Sequence, residues 1–255
     1  MATNGINVIK LGGKSVETES GRAQLAQRIA ALRGAGWKLI VVHGGGAQVT
    51  AALANAGIEA RFVNGLRVTD EKVLEVAEPV FGHIGKTIAH ALTEAGAPAV
   101  ALTGRDAHLL RGVVKDASLG RVGTITAVEA DLLRHLVYNG VTPVVGPIAT
   151  DASGPLNVNA DEVASAIAKA VHAKDLLLLT DVPNVRNGQG KPIPTLTPAG
   201  AQELIRSGAA TGGMIPKIQG ALDALTSGVA RVRVLDEPGL TKLAAGEEAG
   251  TVFAG

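Results

Sequence analysis

Lys10 lies inside an apolar run, "NVIKLGG", where an ammonium group is costly unless something uses it. Gly12 and Gly13 follow it, and a second apolar run ends in "VVHGGG", with Gly45 and Gly46 closing the cluster. Glycines between a strand and a helix let backbone N–H groups approach an anion closely, and the helix start adds a favourable dipole. One such pair reads as an ordinary tight turn; two clusters at neighbouring strand ends point to an anion site. "GPLNVNADEVASAIA" sets Asn157, Asn159 and Asp161 at alternate positions ahead of a helical apolar stripe. An N-cap, with Asp161 and Glu162 complementing the helix dipole, accounts for one of these polar residues. Three facing one side invite a functional role. In "ATGGMIPKIQGA", Lys217 falls in a first helical turn, where the dipole disfavours a cation. Local rules broken in this way are expected at functional sites. Arg67, in "NGLRVTD", has the planar fork that suits a carboxylate, although a lone arginine is usually surface.

Three tempting motifs fail on counting. A phosphate-binding loop needs a glycine, four residues, then Gly-Lys-Ser/Thr. The first glycine would fall at Val8 for "GKS" and at Val80 for "GKT", so Lys14 and Lys86 default to solvated surface lysines. "HGGGAQV" has Val49 where a dinucleotide fingerprint needs its last glycine. His83, His90, His108, His135 and His172 are scattered with no metal-ligand spacing, so no protein-held metal site is expected. His43, beside the glycines, is expected to help hold their loop.

The elements that must position these residues alternate along the chain. "INVIKL", "WKLIVVH", "APAVALT", "TPVVGPI", "DLLLLTDV" and "VARVRVL" read as strands buried on both faces. Helical stripes separate them: Leu25, Ile29 and Leu32; then Val163, Ala166, Ile167 and Ala170; then Ile218, Leu222 and Leu225, with Pro216 in that helix's first turn. The alternation predicts an α/β fold with a doubly wound, mostly parallel sheet and helices on both faces. "LLRGVVKDASLGRVGTIT" breaks the rhythm and predicts a hairpin turning around Ala117 to Gly120. A lobe boundary is expected near His172 to Asp175.

Composition narrows the function classes. The 255 residues are 46% hydrophobic and 18% charged, which suits a globular chain with ample core. Lys+Arg of 24 against Asp+Glu of 23 leaves no broad electrostatic footprint for nucleic acid, and 2% aromatics leave few stacking platforms. The absence of cysteine excludes a thiol nucleophile, a disulfide framework and an iron–sulfur cluster. No signal peptide or membrane-length apolar segment is read, so a cytoplasmic location is expected.

Taken together and in order, "KLGG", "VVHGGG", "NGLRVT", "NVNAD", "TDV", "GGMIPK" and a terminal "GT" resemble the amino acid kinase family over nearly the whole chain. "NGLRVT" with "NVNAD" and "GGMIPK" is similar to its acetylglutamate branch. The resemblance implies a three-layer αβα sandwich forming a single domain, 1–255. Its lobe 1–174 would bind the acyl amino acid and dimerise, and its lobe 175–255 would bind the nucleotide. It implies ATP-dependent phosphorylation of the side-chain carboxylate of N-acetyl-L-glutamate in arginine biosynthesis, with Mg²⁺ held mainly by the nucleotide phosphates. Lys10 and Lys217 match the two lysines that stabilise the transferring phosphoryl group, and Asp161 the carboxylate that holds both lysines. Gly12, Gly13 and Gly45 match backbone donors to the phosphates. Gly45 and Gly46 belong to the substrate loop, and Arg67 and Asn157 match residues that grip the acyl amino acid. Asp181, Val182, Pro183, Asn184, Val185 and Arg186, with Thr211, Gly212, Gly213 and Met214, fall where the family binds the adenine nucleotide.

Two departures from the resemblance matter. Asn184 stands where many relatives have glycine, and asparagine's tolerance of left-handed backbone is expected to absorb the change. Only about five residues precede the first strand, too few for a stable helix, and "LDEPGLTKLAAGEEAGTVFAG" contains no histidine. A homodimer that arginine does not inhibit is therefore expected; a PII-type regulator is not assessable. The competing readings are a kinase for (acetyl)aminoadipate in lysine biosynthesis and a non-catalytic nucleotide-binding relative.

Overall fold

All six apolar runs are strands. The computed structural model describes residues 5–12 and 16–254, so Gly13 and Lys14 lie outside the described residues. In chain order the elements begin with β1 (Ile6–Lys10), α1 (Glu19–Gly34), β2 (Lys38–Val42) and α2 (Gly46–Asn55). A small hairpin of β3 (Phe62–Val63) and β4 (Leu66–Arg67) leads to the long α3 (Glu71–Glu94) and β5 (Ala99–Leu102). Next come the hairpin of β6 (Leu110–Val114) and β7 (Gly123–Val128), α4 (Ala130–Tyr138), β8 (Thr142–Val145), and a second hairpin of β9 (Ile148–Asp151) and β10 (Gly154–Asn157). The remainder is α5 (Ala160–Ala170), β11 (Asp175–Leu179), β12 (Thr195–Leu196), α6 (Pro198–Arg206), α7 (Met214–Thr226), β13 (Arg231–Leu235), α8 (Glu237–Ala244) and β14 (Thr251–Ala254).

The main sheet has strand order β12-β14-β13-β11-β1-β2-β8-β5, parallel except where β14 runs against β13. The chain winds outward from β1 in both directions, through β2 on one side and β11 on the other. In an open α/β sheet the crevice at such a reversal, beyond the strands' carboxyl ends, is where ligands bind. Lys10 ends β1, and Thr180 follows β11. The side-chain alternation of β1 decides which way Lys10 faces. Ile6 and Val8 belong to one core cluster, shared with Val163 of α5 and Ile218 of α7. Ile9 belongs to the other cluster, shared with Leu25 and Ile29 of α1. Lys10 continues the Ile6–Val8 face, and so emerges beside α5. The two clusters divide by sheet face rather than at 174/175, since each draws residues from both parts of the chain.

The predicted hairpin is present as β6 and β7, antiparallel, with a 3₁₀ turn at Ala117–Leu119 and Gly120 at φ 69°. It belongs to a second, four-stranded sheet of order β10-β9-β6-β7 that carries Asn157 to the site. Two expectations need correction. "APAVALT" is only half-buried, because β5 is the outermost strand and pairs with β8 alone. In α5 the buried stripe is Val163, Ala164, Ile167 and Ala168, so Ala166 and Ala170 turn partly away from the core.

Candidate active site

A cavity of about 570 Å³ opens at the carboxyl ends of β1 and β11, lined by Lys10, Gly12, Asp161, Thr180, Asp181 and Lys217 among others. Lys10 Nζ lies 3.0 Å from Asp161 Oδ1, and Lys217 Nζ pairs with Asp181 Oδ1. The expectation that Asp161 holds both lysines is thus corrected: Lys10 pairs with Asp161 and Lys217 with Asp181. Both lysine side chains are about four-fifths buried, with 20% and 19% exposure, so each charge is poised at the wall rather than free in solvent. Gly12 packs closely on β11, since a Cβ there would come within 3.2 Å of the Leu179 carbonyl oxygen.

Adjacent carboxylates at the start of α5 divide the work. Asn159 caps the helix, its Oδ1 accepting from Asp161 N at 2.7 Å and Glu162 N at 3.3 Å. Glu162 turns to β7, accepting from Thr124 Oγ1 and from Ile125 N (3.0 Å), and pairs with Lys115 at 3.1 Å. With the helix end so fastened, Asp161 faces Lys10. Of the three alternating polar residues, Asn159 therefore has the plain capping role.

A smaller cavity of about 160 Å³ adjoins on the other side of the α5 N-terminus, lined by Gly45, Gly46, Phe62, Arg67, Asn157 and Asn159 among others. Arg67 is 8% exposed. Its Nη2 donates to Gly46 O and Thr50 Oγ1, both at 2.8 Å, and the guanidinium lies 4.7 Å from the Phe62 ring centroid. Its Nη1 is buried without a partner, and burial pulls its pKa down. A guanidinium so desolvated, with one nitrogen unsatisfied, is suited to bond an anion's oxygen. Asn157 Nδ2 donates to Thr69 Oγ1 at 3.0 Å. Gly45 packs against α3, where a Cβ would come within 2.4 Å of Ile84 Cδ1.

His43 stands behind this loop, fully buried. Its N–H donates to Val145 O at 3.1 Å, and its Nδ1 bonds Gly44 O at 2.7 Å. Nε2 is left without a partner, wedged so that a Cβ on Gly85 or Gly146 would come within 3.0 or 3.1 Å of it. Desolvation lowers the His43 pKa from 6.5 to about 4, opposed by the Gly44 hydrogen bond. The folded chain therefore holds this ring neutral while the unfolded chain takes up a proton below pH 6.5. Stability at pH 7 is unaffected by this ring and falls as pH drops from 6.5 to about 4. The loss amounts to about 3 kcal/mol. Urea titrations at pH 7 and pH 4 should show that excess loss in the wild-type chain and not in His43→Gln.

The expected nucleotide segment is only partly at the cavity. Of residues 181–186, Asp181 lines it; Pro183 and Asn184 line a different cavity, of about 610 Å³, with Pro192 and Pro194. Val185 is a correction: its side chain is fully buried in the core and its N–H is taken by Thr251 Oγ1 at 2.9 Å, leaving it nothing for a nucleotide. Asn184 has no positive φ, so its left-handed tolerance is unused. Val182 N bonds Thr180 Oγ1 at 3.2 Å, and Arg186 is exposed. Thr211, Gly212 and Gly213 are exposed ahead of α7, and Met214 packs partly on the core. Sequence reading missed Thr180 and Glu237, which line the larger cavity, and Phe62 over Arg67. "TDV" was the signal for Thr180; nothing local marks Glu237, which Arg28 Nη1 holds at 3.0 Å from α1. Lys86 and the five other histidines are exposed, as expected of surface groups. Among the described residues no cluster of three His, Cys, Asp or Glu side chains is arranged to hold a metal ion, and no helix is long and apolar enough to cross a membrane.

Comparison with known proteins gives concordant findings. The pattern of the Amino acid kinase family matches residues 5–236. An acetylglutamate kinase of Solibacter usitatus is 43% identical over 249 residues, covering 96% of this chain and 97% of that one. Another, of Chloroflexus aurantiacus, is 42% identical over 241 residues, covering 92% and 93%. Among solved structures, smu.665 from Streptococcus mutans UA159 superposes with a TM-score of 0.78 at 28% identity, covering 98% of both chains.

Proposed function

We propose, from the premise that the chain belongs to the amino acid kinase family, that it transfers the γ-phosphoryl group of ATP to the side-chain carboxylate of N-acetyl-L-glutamate. The products are N-acetyl-L-glutamyl 5-phosphate and ADP, and the step belongs to arginine biosynthesis. The observation that carries this reading is the pair of adjoining cavities. One has a buried arginine with an unpartnered Nη1; the other has two lysines.

The chemistry follows from charge. The acceptor carboxylate has a pKa of about 4.3 and is ionised at neutral pH, so no general base is needed. What remains is to align two anions and to neutralise the phosphoryl oxygens as the bond to ADP lengthens. Arg67 and Asn157 hold the acyl amino acid in the small cavity with its side chain directed past Asn159. Lys10 and Lys217 flank the phosphoryl from the large one, with Gly12 N–H beside them. Asp161 and Asp181 keep two like charges on opposite walls until the nucleotide arrives. Both carboxylates being engaged by lysines, Mg²⁺ would enter on the nucleotide phosphates and supply further charge neutralisation there. In this reading residues 1–174 carry the acyl-amino-acid site and residues 175–255 most of the nucleotide site.

ADP release is the direct test. N-Acetyl-L-glutamate should be turned over with kcat/KM at least tenfold above N-acetyl-2-aminoadipate, the gain expected from one methylene in a closed pocket. Glutamate, aspartate, carbamate and UMP should give background rates. No turnover with N-acetylglutamate would refute the assignment.

A further inference from the structure

Thr69 is fully buried and touches neither cavity, yet it joins the backbone of Arg67 to the side chain of Asn157, the two residues placed on the acyl amino acid. Its Oγ1 donates to Arg67 O at 2.8 Å and accepts from Asn157 Nδ2 at 3.0 Å. Its backbone is fixed on both sides. Thr69 N donates to Leu119 O (2.9 Å), and Thr69 O accepts from Arg121 N (2.6 Å). Arg121 O in turn accepts from Asn157 N at 2.9 Å, so the same turn holds the backbone of both partners. Gly120 allows the approach, since a Cβ there would come within 2.4 Å of Thr69 O.

A hydroxyl has one proton. Given to the Arg67 carbonyl, it leaves Oγ1 only lone pairs for Asn157, and a carboxamide can meet lone pairs only with its nitrogen. We propose that Thr69 is a positioning residue that locks the Asn157 carboxamide with its oxygen toward the acyl-amino-acid cavity, so that the site selects an acceptor substrate bearing an N–H donor next to its α-carboxylate. The inference rests on the functional reading above and deepens it. Arg67 takes the carboxylate. Asn159 Oδ1 is already engaged in capping α5, which leaves Asn157 Oδ1 to receive an acylated amine's N–H. An ester isostere, 2-acetoxyglutarate, presents an oxygen at that position and meets Asn157 Oδ1 lone pair to lone pair.

The experiment compares kcat/KM for N-acetyl-L-glutamate and for 2-acetoxyglutarate in the wild-type chain, Thr69→Val, Thr69→Ala and Thr69→Ser. The wild type should prefer the amide by about a hundredfold, the cost of facing a buried acceptor with another acceptor. Without the hydroxyl the carboxamide can rotate and offer its nitrogen. In Thr69→Val the preference should then fall to within about fivefold, with KM for ATP unchanged. Thr69→Ser should restore the preference. Thr69→Ala carries the same expectation as Thr69→Val should the valine variant fail to fold. A folded Thr69→Val or Thr69→Ala that keeps the wild-type preference, or a wild type that uses both acceptors equally, would overturn the inference. Turnover of N-acetylglutamate by the wild type tests the functional reading separately; the ratio between acceptors tests Thr69.

Discussion

Lys10→Ala lowers kcat by about a hundredfold to a thousandfold and leaves the fold intact. That is the range found when one preorganised charge or donor is removed from the oxygens of a reacting centre. The loss falls on kcat because the ammonium matters most when negative charge shifts on the phosphoryl oxygens, not when the nucleotide first binds. Lys10 ends β1 and is the only residue of that strand not fully buried, so truncation leaves the apolar face from Ile6 to Val8 in place. It also leaves Asp161 without its partner, at a site half exposed to solvent, which water can supply. Thermal unfolding should therefore stay close to wild type while single-turnover phosphoryl transfer slows. A rate within tenfold of wild type would remove Lys10 from the reaction.

Arg67→Ala should act on the other parameter. Its Nη1 is the buried, unpartnered nitrogen of the small cavity, and the bond it would make with a carboxylate is present throughout the reaction. Removing one member of a desolvated, hydrogen-bonded charge pair costs about 2–5 kcal/mol. KM for N-acetylglutamate should rise about a hundredfold, with KM for ATP unmoved and kcat changed far less. Arg67→Lys should recover little, because an ammonium cannot reach Gly46 O, Thr50 Oγ1 and a carboxylate at once as the fork does. Initial rates over a matrix of both substrates separate the two effects. A variant that lost kcat while keeping its KM for N-acetylglutamate would place Arg67 at the phosphoryl instead.

These two outcomes differ because the two charges lie in different cavities, and that separation is a property of the fold. The strand ends were legible because apolar runs and the glycines after them are local signals. Lys10 and Lys217 stood out because each breaks a local rule, and Asp161 because it ends an alternating polar run that capping alone does not explain. The β9–β10 hairpin, which delivers Asn157, was not read: its strands are four residues each and carry Pro155 and Gly154. Val185 was misassigned for the opposite reason, since adjacency to Asp181 carries no information about which way a side chain points once the segment is packed under β14.

The amino-acid sequence by itself determined the alternation of strands and helices, the glycine-lined strand ends, and the presence of charges too costly to be idle. It did so because hydrophobic periodicity and helix capping act within a few residues. Only the tertiary structure decided the partners. Lys217 meets Asp181 rather than Asp161, Asn157 meets Thr69 across 88 positions, and Arg67 lies under Phe62 with one nitrogen unsatisfied. Such pairings are set by strand order and by which sheet face each helix covers. Those follow from packing a whole chain at once, and no short window of residues contains that information.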